Sequence, residues 1–108
     1  MTASDPHETI AAATRAAAQL RELVLREAPR GVRLAWAEQL RQVVDILTTD
    51  DDPAEVLKYA MLTFDRLYSG GRNFSDFHVE RPDRAAMVAE NEQLAALTGE
   101  LHGLLHST

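Results

Sequence analysis

Four carboxylates fall within six positions of the sequence, at Asp50, Asp51, Asp52 and Glu55. Asp52 and Glu55 suit the start of a helix, because an aspartate caps free backbone N–H groups there and a first-turn glutamate interacts favourably with the helix dipole. Asp50 and Asp51 are explained less well by capping. The spacing is not that of a twelve-residue EF-hand loop, so calcium is not expected. The run predicts a solvated capping turn or, as the alternative, a docking site for a basic partner.

A second candidate site is the segment 70–81, which begins with Gly70 and Gly71. No strand precedes these glycines and no Gly-Lys-Ser/Thr sequence follows, so they do not form a phosphate-binding loop. Glycines in this position instead predict the C-terminal cap of a helix. Asn73 and Asp76 suit turns, because Asn tolerates left-handed geometry and a short Asp side chain accepts hydrogen bonds from nearby N–H groups. For Asp76 we expect a loop cap, with ligand binding or catalysis as the alternative.

The same segment is not polar throughout, since Phe74, Phe77 and Val79 are apolar. Long loops without structure are uncommon in compact domains, and those that occur are often functional. We therefore expect this loop to fold back onto the helices. If Phe74 or Phe77 is exposed instead, we expect it to anchor a partner.

The histidines give no established catalytic or metal-binding pattern. His102 and His106 have the four-residue spacing at which two imidazoles on a helix can share a metal, but no Glu follows His102 as in metalloproteases. We expect surface histidines there, no metal, no cofactor and no enzymatic activity. The remaining enzyme hypothesis is that Asp76 and Glu80 converge near His78, which perturbed titration would support.

The composition narrows the class of partner. The chain has 108 residues, 45% of them hydrophobic and 26% charged, which predicts a single domain over 1–108 with a packed core. Eleven basic against 17 acidic residues give a net charge of −6, which disfavours nucleic-acid binding. No apolar run approaches the roughly 20 residues of a membrane span. The N-terminal segment lacks a signal-peptide pattern and the chain has no cysteine, so we expect a cytoplasmic location.

Four amphipathic helices are predicted to position these residues. The sequence Asp-Pro-x-Glu begins the first helix at Asp5 and the third at Asp52. The expected bounds are about 6–28, 32–48, 53–69 and 83–105. Short links between the first three helices predict an antiparallel all-α four-helix bundle, in which one long packed loop joins helices three and four. The alanines of the first helix, at residues 11–13 and 16–18, predict close packing within the chain or, as the alternative, a dimer contact.

Residues 36–79 resemble a family of small bacterial helical proteins of uncharacterised activity. The resemblance is carried by Trp36 and Ala37 at a helix start, Leu40, the acidic break at residues 50–52, Phe64, and the loop at residues 70–77. The family loop reads Gly-Gly-Met-Gly-Ser and closes on Asn-Asp-Leu. Here Arg72 and Asn73 replace the Met and the next Gly, while the glycine pair and Asp76 match. Several such families look like immunity proteins, small acidic partners that neutralise a bacterial toxin.

These observations predict a small acidic protein-binding module of the immunity or inhibitor type, which neutralises a basic toxin or enzyme by occlusion. The expected partner-binding residues come from the acidic run and the loop: Asp50, Asp51, Asp52, Glu55, Arg72, Asn73, Phe74, Asp76 and Phe77. The alternative is a homodimeric structural or regulatory protein that assembles through the alanine-rich first helix.

Overall fold

A computed structural model of the protein describes residues 5–69 and 73–106. Within these ranges the chain forms α1 (Pro6–Glu27), α2 (Arg30–Leu47), α3 (Pro53–Asp65) and α4 (Arg84–Leu105), with single 3-10 turns at Arg66–Tyr68 and Phe74–Asp76. Helix α1 packs against α2 and α4, and α2 packs against α3. The short connections at 28–29 and 48–52 reverse the chain direction between neighbouring helices. The predicted all-α four-helix bundle is confirmed.

Aspartate caps begin three of the helices. The side chain of Asp5 accepts a hydrogen bond from the His7 N–H at 2.9 Å, and that of Asp52 accepts one from the Glu55 N–H at 3.4 Å. Both caps were predicted from the repeated Asp-Pro-x-Glu sequence. At α4 the cap is Asp83, whose carboxylate accepts from the Ala86 N–H at 3.1 Å.

Two predicted helix bounds need correction. Helix α2 begins at Arg30 instead of 32, because the backbone N–H groups of Val32 and Arg33 both donate to the Pro29 carbonyl and close a helical turn directly after the proline. Gly31 therefore lies inside α2. Helix α3 ends at Asp65 and tightens into a 3-10 turn, instead of continuing to 69.

The core is one apolar cluster to which all four helices contribute. One apolar stripe of α2 is buried, and so are the α1 alanines Ala13, Ala16 and Ala17. Small side chains at these positions let α1 approach its neighbours closely, so three of the six alanines pack within the chain as predicted, whereas Ala11 and Ala18 are exposed. A dimer contact through α1 would have to use other residues. On α4, Leu94, Leu101 and Leu105 are buried. The members of the α2 stripe are Trp36, Leu40, Val43 and Leu47.

Candidate functional site

The structure separates the two halves of the predicted site. The acidic residues 50–52 directly precede α3, whereas the loop follows the C-terminal end of that helix. Thirteen residues at a rise of 1.5 Å each make α3 about 20 Å long. The acidic turn and the loop therefore do not form one continuous patch, and each of them borders a groove of its own.

The acidic turn borders a groove between α2 and α3 with a volume of about 620 Å³, which we call the acidic groove. Its rim carries Asp51, Asp52 and Glu55. The remaining lining residues, for which no sequence pattern indicates a site, are Ile46, Thr49, Val56, Tyr59 and Thr63.

The end of α2 holds the acidic turn in place through two threonines. The Thr48 hydroxyl donates to the Val44 carbonyl at 3.0 Å, and the Thr49 hydroxyl donates to the Ile46 carbonyl at 2.7 Å. The backbone N–H groups of the same two threonines also donate to these carbonyls, so the end of α2 is held by two hydrogen bonds at each of them. The chain can therefore leave α2 without a glycine cap, and the carboxylates that follow point into solvent.

The acidic turn carries uncompensated negative charge. Asp50, Asp51 and Glu55 are exposed, and in the ranges 5–69 and 73–106 their carboxylates make neither a hydrogen bond nor an ion pair. The last turn of α2 contains no basic residue, although the negative end of its dipole would favour one. The positive end of α3 offsets only the charges of Asp52 and Glu55. Lys58 lies one turn beyond Glu55 and does not line the groove.

The acidic residues of α2 itself, unlike those of the acidic turn, are paired with a cation. The Arg41 guanidinium lies 2.5 Å from a Glu38 carboxylate oxygen and 2.6 Å from an Asp45 oxygen. The hydrogen bond from Arg41 holds the pKa of Glu38 below its usual value. The acidic turn has no such cation of its own.

The floor of the acidic groove is apolar, with one polar exception. Val56 is buried, Ile46 is half-buried and the Tyr59 ring is 53% exposed. Thr63 is only 7% exposed, and its backbone carbonyl accepts a hydrogen bond from Gln39 Nε2 at 2.8 Å. The Thr63 hydroxyl, in contrast, makes no hydrogen bond within the described part of the chain.

The loop is packed, as predicted, and this changes the roles of its phenylalanines. Phe74 and Phe77 are 3% and 7% exposed, and their ring centroids lie 5.2 and 5.6 Å from that of Trp36. Val79 is fully buried. The expectation that Phe74 or Phe77 anchors a partner required an exposed ring, and this condition is not met. Their aromatic contacts hold the loop against α2 instead.

The polar residues of the loop also differ from expectation. The loop cap is Asn73, whose Oδ1 accepts a hydrogen bond from the Ser75 N–H at 3.0 Å. Asp76 was predicted to fill this role, and that prediction is wrong, because its carboxylate is exposed and accepts no hydrogen bond from a backbone N–H of the described chain. Arg72 lies outside the described residues, as do Gly70 and Gly71 with their predicted cap.

The loop and α4 enclose a second groove of about 790 Å³, which we call the aromatic cleft. Tyr68, Phe74 and Phe77 form one wall, and Leu94 and Gly99 lie on the α4 side. Burial, together with the charge of Asp65, raises the pKa of Tyr68. The walls are apolar for most of their area, and this suits apolar groups better than ions.

The residues of the enzyme hypothesis meet only in part. His78 Nε2 lies 2.5 Å from Glu80 Oε1, and this hydrogen bond raises the pKa of His78. Asp76 contributes its backbone carbonyl, 3.3 Å from His78 Nδ1, and not its carboxylate. The Ser75 hydroxyl donates to Asn73 Oδ1. The arrangement is an exposed acid–base pair.

The histidines of α4 contact each other. The rings of His102 and His106 stack with centroids 4.2 Å apart, and His106 Nε2 lies 3.1 Å from Asp65 Oδ1. In the part of the chain that the structure describes, no three His, Asp or Glu side chains are grouped closely enough to hold a metal ion.

Comparison with known proteins adds no relative: the chain matches no protein-family model, no curated protein sequence and no solved structure. The resemblance of residues 36–79 to small bacterial helical proteins therefore stays a prediction. Among the described helices, none is both long enough and apolar enough to cross a membrane.

Proposed function

We propose that the protein is a small acidic protein-binding module of the inhibitor type, which holds a basic partner at the acidic groove and occludes the partner's functional surface. The observation that carries the proposal is that Asp50, Asp51 and Glu55 are exposed and form no ion pair with a cation of the described chain. Carboxylates that are left unpaired beside a groove can bind a cation brought by another molecule.

Electrostatics determines how such a module would work. Negative charge focused beside a groove steers a basic partner during diffusional encounter and raises the association rate. The net charge of −6 acts in the same direction. Because salt screens charges over about 10 Å at 0.1 M, association should slow as ionic strength rises. Neutralisation of a bacterial toxin in the cytoplasm is the particular form of this function that the resemblance of residues 36–79 implies.

The test begins with isolation of a partner on the tagged full-length protein at low salt, followed by its identification by mass spectrometry. Association rates of the purified partner are then compared for Asp50→Lys/Asp51→Lys and for a control, Glu22→Lys/Glu100→Lys. The control makes the same change in net charge at exposed positions of α1 and α4, which do not line the groove.

We expect the association rate to fall at least tenfold more in the groove variant than in the control. We also expect the partner to be toxic, or enzymatically active, when expressed alone and to be silenced by co-expression. Equal association rates for the two variants at low salt would overturn the assignment of the acidic groove. A partner whose activity is unchanged in the complex would overturn the inhibitor function.

A further inference from the structure

We infer that the acidic groove binds an extended segment of its partner in which a basic side chain and an apolar side chain are two positions apart. This inference rests on the proposed function, because it specifies what the partner presents to the groove. It is carried by the order of the lining residues along α3, where carboxylates give way to an apolar surface and then to the hydroxyl of the largely buried Thr63.

The spacing follows from the two backbones. Asp52, Glu55, Tyr59 and Thr63 recur every three or four residues and share one face of α3. From Glu55 to Tyr59 the helix rises about 6 Å, which an extended chain covers in about two residues. Side chains two positions apart in an extended chain point to the same side. A basic residue at the rim and an apolar residue over the floor can therefore both face the groove.

Tyr59 and Ile46 determine which side chains fit. The Tyr59 ring is 53% exposed, so it offers a face to a cation or to the stem of an arginine or lysine whose charge lies beside Glu55. Ile46 and Val56 form an apolar floor next to that ring. A leucine, isoleucine or aromatic side chain of the partner would remove this surface from water.

Thr63 supplies evidence that does not depend on charge. Thr14 and Thr98 each donate their hydroxyl to the carbonyl four residues earlier, at 2.7 Å in both cases. The Thr63 hydroxyl makes no hydrogen bond to the described chain, although the residue is only 7% exposed and lines the groove. The Thr63 oxygen is not fully buried, so it reaches the surface of the groove, where a ligand atom can replace the water that would otherwise bond to it. A backbone carbonyl or N–H of a bound segment would satisfy it, as is common when peptides bind in extended form.

The experiment uses capped pentapeptides and the ¹⁵N-labelled full chain in low salt, with binding followed by NMR chemical-shift changes. The probe is acetyl-Ser-Arg-Ser-Leu-Ser-amide. One comparison peptide replaces Leu with Ser, and a second replaces Arg with Glu. We expect the probe to shift the amide signals of Ile46, Glu55, Tyr59 and Thr63, and to bind at least threefold more tightly than the peptide without Leu. The Glu peptide should not bind.

A matched pair of variants tests the hydroxyl. Thr63→Val keeps the shape of the side chain and removes its donor, and we expect it to weaken binding of the probe about threefold. Thr98→Val makes the same change on α4, where the hydroxyl already has a partner, and should leave binding unchanged. Spectra of both free variants show whether the fold is retained.

Three results would overturn the inference: equal binding with and without Leu, shifts confined to residues outside the groove, or no effect of Thr63→Val in a folded chain. None of them decides the proposed function, which is judged by the association rates of the purified partner with the charge variants. Conversely, loss of the charge effect on those rates would leave a peptide-binding groove without the inhibitor role.

Discussion

The Asn91 side chain fastens the loop to α4, and its removal should destabilise the protein strongly. Its Oδ1 accepts a hydrogen bond from the Val79 N–H at 2.7 Å, and its Nδ2 donates to the Val79 carbonyl at 2.9 Å and to the Met87 carbonyl at 2.8 Å. Val79 is 0% exposed. Asn91→Ala leaves the N–H and the carbonyl of Val79 without partners, which costs about 1–3 kcal/mol for each group. The expected loss is therefore about 2–6 kcal/mol, out of the roughly 5–15 kcal/mol typical of a domain.

Urea unfolding followed by far-UV circular dichroism measures this loss, and hydrogen exchange of the Val79 amide reports whether the loop itself opens. Thr98→Ala is the matched control. It removes a half-buried hydroxyl from the same helix, but the Leu94 carbonyl to which that hydroxyl donates remains within the helix, so we expect a loss below about 1 kcal/mol. A loss for Asn91→Ala no larger than that of the control, or unchanged exchange at Val79, would refute the assignment of Asn91 as the fastening.

Three further changes test the packing and the titration. Gly99→Ala should stabilise the protein by about 0.5–1 kcal/mol and raise its Tm, since an added Cβ meets nothing within 4 Å; a lower Tm would contradict this. Trp36→Ala should cost about 3–5 kcal/mol in urea unfolding, because the ring is 6% exposed and packs against the loop. The pKa of His78 measured by NMR should lie above 6.5, and Glu80→Gln should lower it. An unchanged pKa in this variant would exclude the hydrogen bond between His78 and Glu80. Because folding raises the His78 pKa, its contribution to stability is present below 6.5 and disappears as the pH rises through the folded-state value.

The fold could be predicted from the sequence because its signals are local. An aspartate cap followed by proline acts within one turn, so Asp5 and Asp52 identify two helix starts without knowledge of any distant contact. The prediction failed where local signals compete. The second helix was expected to begin at residue 32, but the bonds from Val32 and Arg33 to the Pro29 carbonyl begin it at Arg30 and continue it through Gly31.

The candidate site was predicted only where its residues are neighbours in sequence. The acidic turn is one continuous run. The groove floor combines Ile46 of α2 with Tyr59 and Thr63 of α3, and which face of α3 stays open depends on how α2 packs against it. The Arg81 guanidinium bonds to Glu27, 54 positions away, and lies 2.6 Å from a Glu90 oxygen, a contact that no local pattern encodes.

The two ends of α3 therefore have different roles, and a change of stability can tell them apart. At the loop end, Asn73, His78 and Asn91 bond through their side chains to other groups of the described chain, so their substitution should lower stability. At the acidic turn, Asp50 and Asp51 face the negative end of the α2 dipole without a cation. Asp50→Lys/Asp51→Lys should raise stability by about 0.3–1 kcal/mol per residue, measured by urea unfolding at low salt.

The same double variant should lose partner binding. A gain in stability together with a loss of binding is typical of a functional site. Selection for binding retains residues that do not favour the fold, which is why stabilising substitutions often cost function. A solvated capping turn predicts otherwise: if the carboxylates served only the start of α3, their replacement would lower stability. A fall in stability for Asp50→Lys/Asp51→Lys, with Asp52 and its cap left intact, would therefore favour the structural role over the docking role.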